Sequence, residues 1–387
     1  MEIRHLQPRA TWREIAEEAG FDFHTMYGEP YWNEARAYRF SLREIEAEIE
    51  DPVTELHALC LDAVGRILGS EELMARMGLP REHWDYVAQS WRDGDPTLYG
   101  RMDLAYDSTG PAKLLEYNAD TPTSLFESTS FQWRWLEDQI GAGVLPDGAD
   151  QFNGTWEALV ARFAEIFPDD QTVWFTSVAD NSEDYGTTET LAWAAKEAGI
   201  NPVYLTLDKL GITPEGRFAD AEGWPVRYLF KLYPWENLLR EPFAEYLAGS
   251  GCTFLEPPWK ALVSNKAILP MLWRFNPGHP NLLPAVFEDE PGDFPDGVVI
   301  KPLFSREGAS LRILDGFGQE IAASDDRDYD AWPKIRQAYH PLPVFDGRRP
   351  VIGAWVVGER CTGMGLREDA GLITQNLSQF VPHYIEG

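Results

Sequence analysis

Arg101-Met102-Asp103 and Glu116-Tyr117-Asn118-Ala119-Asp120 are the stretches that decide the fold of this chain. Residues Leu98 to Tyr106 alternate between apolar and polar side chains, which is typical of a strand. Asp107-Ser108-Thr109-Gly110 supplies turn residues, and Lys113 to Ala119 has the pattern of the returning strand. The sequence therefore predicts a β-hairpin that carries charged side chains on one face.

The predicted hairpin places Asp103 opposite Glu116 and Arg101 opposite Asn118, because alternate side chains of a strand share a face. Two opposed carboxylates repel each other, and a cation between them would relieve the repulsion. Two carboxylates and an amide oxygen are a ligand set suited to Mg²⁺. Two alternatives remain open, namely a solvated hairpin face with incidental charges, and a register shift at Pro111 that breaks the pairing.

Composition indicates a large globular protein. The chain has 387 residues, of which 44% are hydrophobic, and this is enough for two or three domains. No segment approaches the roughly 18 consecutive apolar residues of a membrane helix. Cys60, Cys252 and Cys361 lie far apart and are odd in number, which argues against a disulfide framework or a zinc site. We expect a reducing, cytoplasmic environment.

The net charge of −30 makes some classes of binding partner less favourable than others. It disfavours nucleic acid and anionic membranes, since both need a basic surface on the protein. It is compatible with a cationic substrate such as a polyamine, because an acidic field attracts cations. A role in solubility alone explains the same charge.

Residues 10 to 95 are predicted to be mostly helical. Trp12 to Ala19, Leu42 to Leu68 and Glu71 to Met77 have apolar residues at three- and four-residue spacing, and Asp51-Pro52 is expected to interrupt the second run. Thr123 to Ile140 is a further candidate helix, whose aromatic residues are expected to be core.

Residues 171 to 260 are predicted to form a separate α/β unit. Thr172 to Ser177 and Asn201 to Leu207 have the pattern of strands, and Thr188 to Ala198 that of the helix between them. The loop after the first strand carries Glu183 and Asp184 at the carboxyl end of the sheet, where ligands bind in open α/β sheets. The alternative is a polar loop that caps the helix.

Residues 261 to 387 return to a β-rich pattern. Lys301 lies inside the apolar strand Val298 to Leu303, where its burial needs an anionic partner. The loop Phe304 to Ser310 follows directly, and its backbone N–H groups with Arg306 are suited to phosphate. Alternatively, Lys301 extends to solvent from an edge strand. Lys266 by itself has the pattern of a surface lysine at a helix start.

Taken together in this order, several motifs resemble the glutathionylspermidine synthase family, namely its synthetase domain and the stand-alone relatives described as acid–amine ligases. The motifs are Phe23 to Trp32, Arg101 to Asp103, Glu116 to Ser124, Phe230 to Glu236, Ser264 to Ala267, Lys301 to Gly308 and Leu366 to Asp369. The resemblance covers nearly the whole chain. It implies an α/β ATP-grasp ligase with an adjoining Rossmann-like pre-ATP-grasp unit.

The resemblance also implies a reaction and a set of site residues. In the family, ATP phosphorylates a carboxylate, and an amine attacks the acyl phosphate to form an amide. By motif, Arg101 would steady the transferring phosphoryl group, and Asp103, Glu116 and Asn118 would bind Mg²⁺. The residues implied to contact ATP are Lys266, Lys301, Arg306, Gly308, Gln337 and Arg367. Those implied on the substrate side are Thr121 and Thr123 for a glutathione-like or peptide acid, and Glu183 and Asp184 for a polyamine-like amine.

The departures from the family pattern fall on the substrate side. Thr121 and Thr123 stand where the family has serines, and the Glu183-Asp184 pair stands where it has two glutamates. The acid and amine are therefore expected to differ from glutathione and spermidine. The amidase domain of the bifunctional members is expected to be absent, since the synthetase pattern starts near residue 10.

Three regions are expected: a helical region with the metal-binding hairpin at 1–170, the pre-ATP-grasp unit at 171–260, and the nucleotide-binding region with its lid at 261–387.

Two other functions remain open beside ligation. One is an ATP-binding polyamine- or peptide-binding protein with ATPase activity that has lost ligation. The other is a carboxylate kinase that releases the acyl phosphate.

Overall fold

The computed structural model describes residues 1–26, 28–375 and 377–386. The α-helices are α1 (Trp12–Glu18), α2 (Leu42–Glu44), α3 (Asp51–Leu68), α4 (Glu71–Arg76), α5 (Trp84–Arg92), α6 (Gln132–Gly141), α7 (Thr155–Ile166), α8 (Ser182–Glu197), α9 (Trp235–Leu238), α10 (Lys260–Val263) and α11 (Ile268–Phe275). Short π-helices cover Ile45–Glu50 and Glu127–Phe131, and 3₁₀-helices cover Arg81–His83, Leu207–Lys209 and Pro242–Gly249. In the described ranges, none of these helices is long and apolar enough to span a membrane.

The strands outnumber the helices and extend over the full length of the chain. They are β1 (Glu2–His5), β2 (Thr25–Met26), β3 (Glu29–Pro30), β4 (Arg36–Phe40), β5 (Tyr99–Ala105), β6 (Lys113–Asn118), β7 (Thr172–Ser177), β8 (Asn201–Thr206), β9 (Gly211–Ile212), β10 (Phe218–Ala219), β11 (Tyr228–Lys231), β12 (Thr253–Leu255), β13 (Ala285–Phe287), β14 (Gly297–Pro302), β15 (Arg312–Asp315), β16 (Glu320–Ala323), β17 (Lys334–Ala338), β18 (Arg349–Val357), β19 (Arg360–Asp369), β20 (Gln379–Val381) and β21 (His383–Ile385).

Three sheets position the candidate site. Two are antiparallel and five-stranded, with the orders β20-β19-β18-β5-β6 and β13-β17-β14-β15-β16, and we call them the hairpin sheet and the lid sheet. The third is a parallel sheet of order β12-β11-β7-β8. The architecture is therefore mixed α/β, in agreement with the predicted class.

The hairpin sheet confirms the predicted register. Asp103 pairs with Glu116, and Arg101 pairs with Asn118. The pairing shifts directly after Asp103, so Leu115 is an extra residue on β6 and forms a β-bulge. The alternative in which a register shift at Pro111 breaks the charged pairs is therefore wrong, because Asp103 and Glu116 stay paired on one face.

The hairpin sheet joins distant parts of the sequence. Strands β5 and β6 come from the first predicted region, whereas β18, β19 and β20 come from the third. A small sheet of order β1-β4-β21 joins the same two regions near the chain ends. The three-region division stays a prediction, but two of its regions share continuous sheets.

The parallel sheet confirms the predicted βαβ unit, since β7 and β8 are parallel neighbours. The predicted helix start at Thr188 is wrong, because α8 begins at Ser182. Asn181 caps the helix, and its side-chain oxygen accepts a hydrogen bond from the backbone N–H of Asp184 at 3.1 Å. Glu183 and Asp184 therefore lie in the first helical turn and not in a free loop.

The N-terminal region is less helical than predicted. Strands β2, β3 and β4 interrupt residues 25–40. The predicted break at Asp51-Pro52 is also wrong, because the π-helix Ile45–Glu50 leads directly into α3. Pro52 is the second residue of α3, and the helical residues before it continue through it without a break.

Candidate active site

A cavity of about 430 Å³ lies between the hairpin sheet and the lid sheet and extends toward the N-terminus of α8. Among the residues that line it are nearly all of the predicted site residues: Arg101, Asp103, Glu116, Asn118, Thr121, Thr123, Asp184, Lys266, Lys301, Arg306, Gly308, Gln337 and Arg367. Glu183 is the predicted site residue that does not line the cavity. The fold thus brings together residues that are up to 266 positions apart (367 − 101).

Asp103 is held by two arginines on the wall formed by the hairpin sheet. Arg101 Nε donates to Asp103 Oδ1 at 2.7 Å, and Arg367 Nη2 lies 3.4 Å from Asp103 Oδ2. Arg101 Nη1 also donates to the carbonyl of Thr123 at 2.8 Å. Burial opposes the charge of Arg101, but the adjacent Asp103 raises the pKa of the guanidinium above its ordinary value.

Glu116 is held by a lysine. Lys266 Nζ lies 3.1 Å from Glu116 Oε2, and Asn118 Nδ2 donates to Glu116 Oε1 at 3.2 Å. Burial alone would raise the pKa of Glu116, yet the charges of Lys266 and Lys301 lower it to about 2. The cation expected between the opposed carboxylates is therefore supplied by side chains of the chain itself in this arrangement. The interpretation of Lys266 as a surface lysine is wrong, because it is buried.

Lys301 projects from β14 of the lid sheet toward the β-bulge of the hairpin sheet. Its Nζ donates to the carbonyl of Leu115 at 2.9 Å, and the residue is 6% exposed, so the alternative of an edge lysine extending to solvent is wrong. Burial lowers the pKa of Lys301 to about 8, and the attraction of Glu116 offsets only part of that effect. Gln337 of the lid sheet makes a similar contact with β6, since its Nε2 donates to the carbonyl of Leu114 at 3.1 Å.

Arg306 lies in the loop 304–310 after β14, which we call the lid loop, and it links this loop to the segments that carry Thr121 and Glu236. Its guanidinium donates to Thr121 Oγ1 at 2.7 Å and to Glu236 Oε1 at 2.7 Å. Gly308 in the same loop has φ +72°, and a Cβ there would lie 2.4 Å from the carbonyl oxygen of Thr374. Only glycine fits at this position, so the loop packs directly on the backbone after β19.

The chain matches the family described as glutathionylspermidine synthase preATP-grasp over residues 3–386. It belongs to this family. A Haemophilus influenzae protein provisionally named acid–amine ligase is 39% identical over 381 residues, with 94% of each chain covered. The bifunctional glutathionylspermidine synthetase/amidase of Escherichia coli is 28% identical over 366 residues, which are 87% of this chain and 57% of that protein. The chain is thus a member of a family of carbon–nitrogen ligases.

The fold has a counterpart among solved structures. A glutathione synthetase-like effector from Globodera pallida superposes with a TM-score of 0.55 and 12% identity, covering 90% of this chain and 89% of that chain. At this identity the likeness concerns the fold alone. The fold is accordingly of the glutathione synthetase-like, ATP-grasp type that the motifs predicted.

In this glutathionylspermidine synthase family member, Asp103, Glu116 and Asn118 are the residues that could hold a magnesium ion. Asp103, Glu116 and Asn118 bring two carboxylates and an amide to one wall of the cavity, and oxygen ligands of this kind suit Mg²⁺. Within the described ranges there is no cluster of three or more acidic, histidine or cysteine side chains that could hold a metal. A metal at Asp103 and Glu116 would therefore complete its shell with water or substrate oxygens, as Mg²⁺ commonly does.

Two buried or partly buried glutamates near the site were not identified from the sequence. Glu236 lies in the Phe230–Glu236 motif, which was noted without a role for this residue, and it pairs with Arg306 across the cavity. Glu127 is 1% exposed and accepts a hydrogen bond from Tyr31 at 2.6 Å. Burial and the charge of Glu183 raise the pKa of Glu127 to about 7. Glu127 gave no sequence signal, because a single acid in an aromatic-rich helix is usually a solvent-facing residue.

Proposed function

We propose that this protein is an ATP- and Mg²⁺-dependent acid–amine ligase that forms an amide bond through an acyl phosphate. The observation that carries the proposal is the cavity between two antiparallel sheets, where two carboxylates and an amide lie among several cationic side chains. Those cations are Arg101, Lys266, Lys301, Arg306 and Arg367. Phosphoryl transfer needs positioning and charge neutralisation more than covalent help from the protein, and this wall of charges supplies both.

In the first step, a carboxylate oxygen of the acid attacks the γ-phosphorus of ATP, ADP leaves, and an acyl phosphate forms. We assign neutralisation of the phosphate oxygens to Lys266, Lys301 and Arg101, which line the cavity. Gly308 lets the loop 304–310 pack against the backbone of Thr374. Mg²⁺ held by Asp103, Glu116 and Asn118 would neutralise charge on the phosphates. We assign nucleotide contacts to Gln337 on β17 and to Arg367 on β19, which line the cavity from different sheets.

In the second step, the amine nitrogen attacks the acyl carbon, the bond to phosphate breaks, and inorganic phosphate leaves with one proton released from nitrogen. Thr121 and Thr123 lie beside Arg101 and Arg306, so we assign them to the glutathione-like or peptide acid. Asp184 lines the cavity and we assign it to the polyamine-like amine, as its counter-ion and proton acceptor. Glu183 does not line the cavity, so its proposed role is to set the charge around Asp184.

The titration of Asp184 gives a pH prediction. Burial and the adjacent Glu183 raise the pKa of Asp184 to about 7. Ionised Asp184 attracts a cationic amine, so the KM for the amine is expected to fall as the pH rises from about 6 to about 8. Asp184→Asn should abolish this pH dependence and leave the KM for ATP unchanged. A KM for the amine with the same pH profile in the variant would remove Asp184 from the amine site.

The same titration changes stability in a known direction. The folded protein holds the proton of Asp184 up to pH about 7, whereas an unfolded aspartate loses it near pH 4, at roughly its ordinary pKa. The stabilisation from this group is present below about pH 4 and is lost as the pH rises to about 7. Melting temperatures of Asp184→Asn should therefore improve relative to the parent protein between pH 5 and pH 8.

The deciding experiment is an ATP-dependent ligation assay with Mg²⁺. Acids (glutathione, γ-glutamyl peptides and amino acids) are combined with amines (spermidine, putrescine and amino acids), and mass spectrometry detects amide products. A new amide that requires ATP, acid and amine together establishes the ligase. Hydroxylamine trapping without amine detects an acyl phosphate, so an acid-dependent kinase is recognised by its accumulation. ATP hydrolysis with neither product would favour the binding protein that has lost ligation.

A further inference from the structure

The ammonium of Lys266 contacts Glu116, one of the two carboxylates that the proposed function assigns to the metal. Lys266 Nζ lies 3.1 Å from Glu116 Oε2, and it also donates to the carbonyl of Ser305 at 2.8 Å. The Lys266 side chain is 8% exposed and the Glu116 side chain is 28% exposed, so bulk water screens this ion pair only in part. The carboxylate proposed for the metal is therefore already neutralised by a lysine.

The other charged groups on this wall of the cavity differ in whether they form an ion pair. Asp103 lies between Arg101 and Arg367, so it is also neutralised. Within the described parts of the chain, Lys301 forms no ion pair and donates to the Leu115 carbonyl at 2.9 Å. Around Asp103 and Glu116, four cationic side chains therefore face two carboxylates, namely Arg101, Lys266, Lys301 and Arg367. Without nucleotide, this part of the cavity is suited to binding an anion rather than a metal ion.

We propose that Lys266 is a built-in competitor of the metal, which holds Glu116 until the phosphates of the nucleotide take over its ammonium. This inference rests on the proposed function. Lysine carries a compact charge on a flexible four-carbon chain, so a small rotation exchanges a carboxylate partner for a phosphate oxygen. Glu116 then becomes available as a metal ligand. Metal binding is consequently weak without nucleotide and strong with it.

Thermodynamic linkage makes this coupling measurable from either side. If the nucleotide raises the affinity for the metal by some factor, the metal raises the affinity for the nucleotide by the same factor. The second hydrogen bond of Lys266, to Ser305, adds a link to the lid loop. A protein with this arrangement avoids taking up a free divalent cation and takes it up together with ATP.

Mn²⁺ is the probe of choice, because electron paramagnetic resonance counts free and bound Mn²⁺ directly. Mn²⁺ dissociation constants are measured for the full chain alone and with a non-hydrolysable ATP analogue, after the Mn²⁺ that the analogue binds without protein has been subtracted. The parent protein should bind Mn²⁺ weakly alone and at least about tenfold more tightly with the analogue. Lys266→Met should tighten the binding of Mn²⁺ to the nucleotide-free protein by about tenfold and reduce the effect of the analogue. Lys266→Gln carries the same expectation and serves as a second variant, with circular dichroism as the test of folding.

Lys301→Met is the matched control, because it removes the same charge from the same cavity without vacating Glu116. It should change the affinity for Mn²⁺ alone much less than Lys266→Met does. An equal change in both variants would mean that general charge governs the metal, and it would overturn the inference. Unchanged Mn²⁺ affinity in both Lys266 variants, with coupling intact in the parent protein, would also overturn it. No Mn²⁺ binding to the parent protein even with the analogue would overturn the proposed metal site itself.

Discussion

Glu116→Gln is expected to lower the rate of ATP-dependent ligation by about 10³-fold at saturating Mg²⁺, the size of effect seen when one preorganised charge-stabilising group is removed. The amide keeps the shape and the hydrogen bond from Asn118 but loses the charge that a divalent cation requires. The measurement is the initial rate of amide formation with the acid and amine identified by mass spectrometry.

The control for this variant is Glu359→Gln. Glu359 is an exposed glutamate in the turn between β18 and β19, outside the cavity, so its loss of charge should leave the rate unchanged. A Glu116→Gln protein that is folded by circular dichroism and keeps more than about a tenth of the parent rate would contradict the metal assignment, since such a loss is far below the expected one.

Lys231→Met is expected to destabilise the fold by about 3–5 kcal/mol, the cost of leaving a buried charge without its partner. Lys231 Nζ lies 2.7 Å from Asp120 Oδ1, and both side chains are 1% exposed. The other oxygen of Asp120 accepts the backbone N–H of Trp235 at 2.8 Å. The pair therefore fastens the segment after β6, which carries Thr121 and Thr123, to the parallel sheet. Urea denaturation measures the change in the free energy of unfolding.

Two comparisons define what the Lys231 result means. Lys209→Met removes an ion pair with Asp208 at 2.9 Å in which the side chains are 61% and 57% exposed, and it should change stability by less than about 1 kcal/mol. The double variant Asp120→Leu/Lys231→Met should recover much of the stability lost in Lys231→Met, because no uncompensated charge remains. A loss in Lys231→Met no larger than that in Lys209→Met would show that the buried pair does not stabilise the fold.

Local pattern explains why part of the site was predictable. Alternation along two short strands gave both the hairpin and its register, because side chains on a strand have a period of two residues. The charge of Lys301 inside an apolar strand indicated a functional lysine for a physical reason, since burial of an unpaired charge is costly. The apolar run from Thr188 does not mark the start of α8, because Asn181 is a favourable N-cap and the polar first turn from Ser182 is already helical.

Contacts between distant segments were not predictable from local pattern. Lys266 had the pattern of a surface residue, and only its position between Glu116 and the carbonyl of Ser305 reveals a role. Glu236 pairs with Arg306, and Glu127 accepts a hydrogen bond from Tyr31. Both partners lie far away in sequence, so local pattern does not indicate these contacts.

The sequence by itself determined the class of fold, the family and the charged face of the hairpin, because these depend on periodicity and on the order of motifs along the chain. The tertiary structure decided which cation faces which carboxylate. Lys266 and Arg101 hold Glu116 and Asp103, whereas Lys301 contacts a backbone carbonyl. The physical reason is that electrostatic interaction depends on distance and burial in three dimensions, and both are set where strands 99–118 and 349–381 join one sheet opposite the lid sheet.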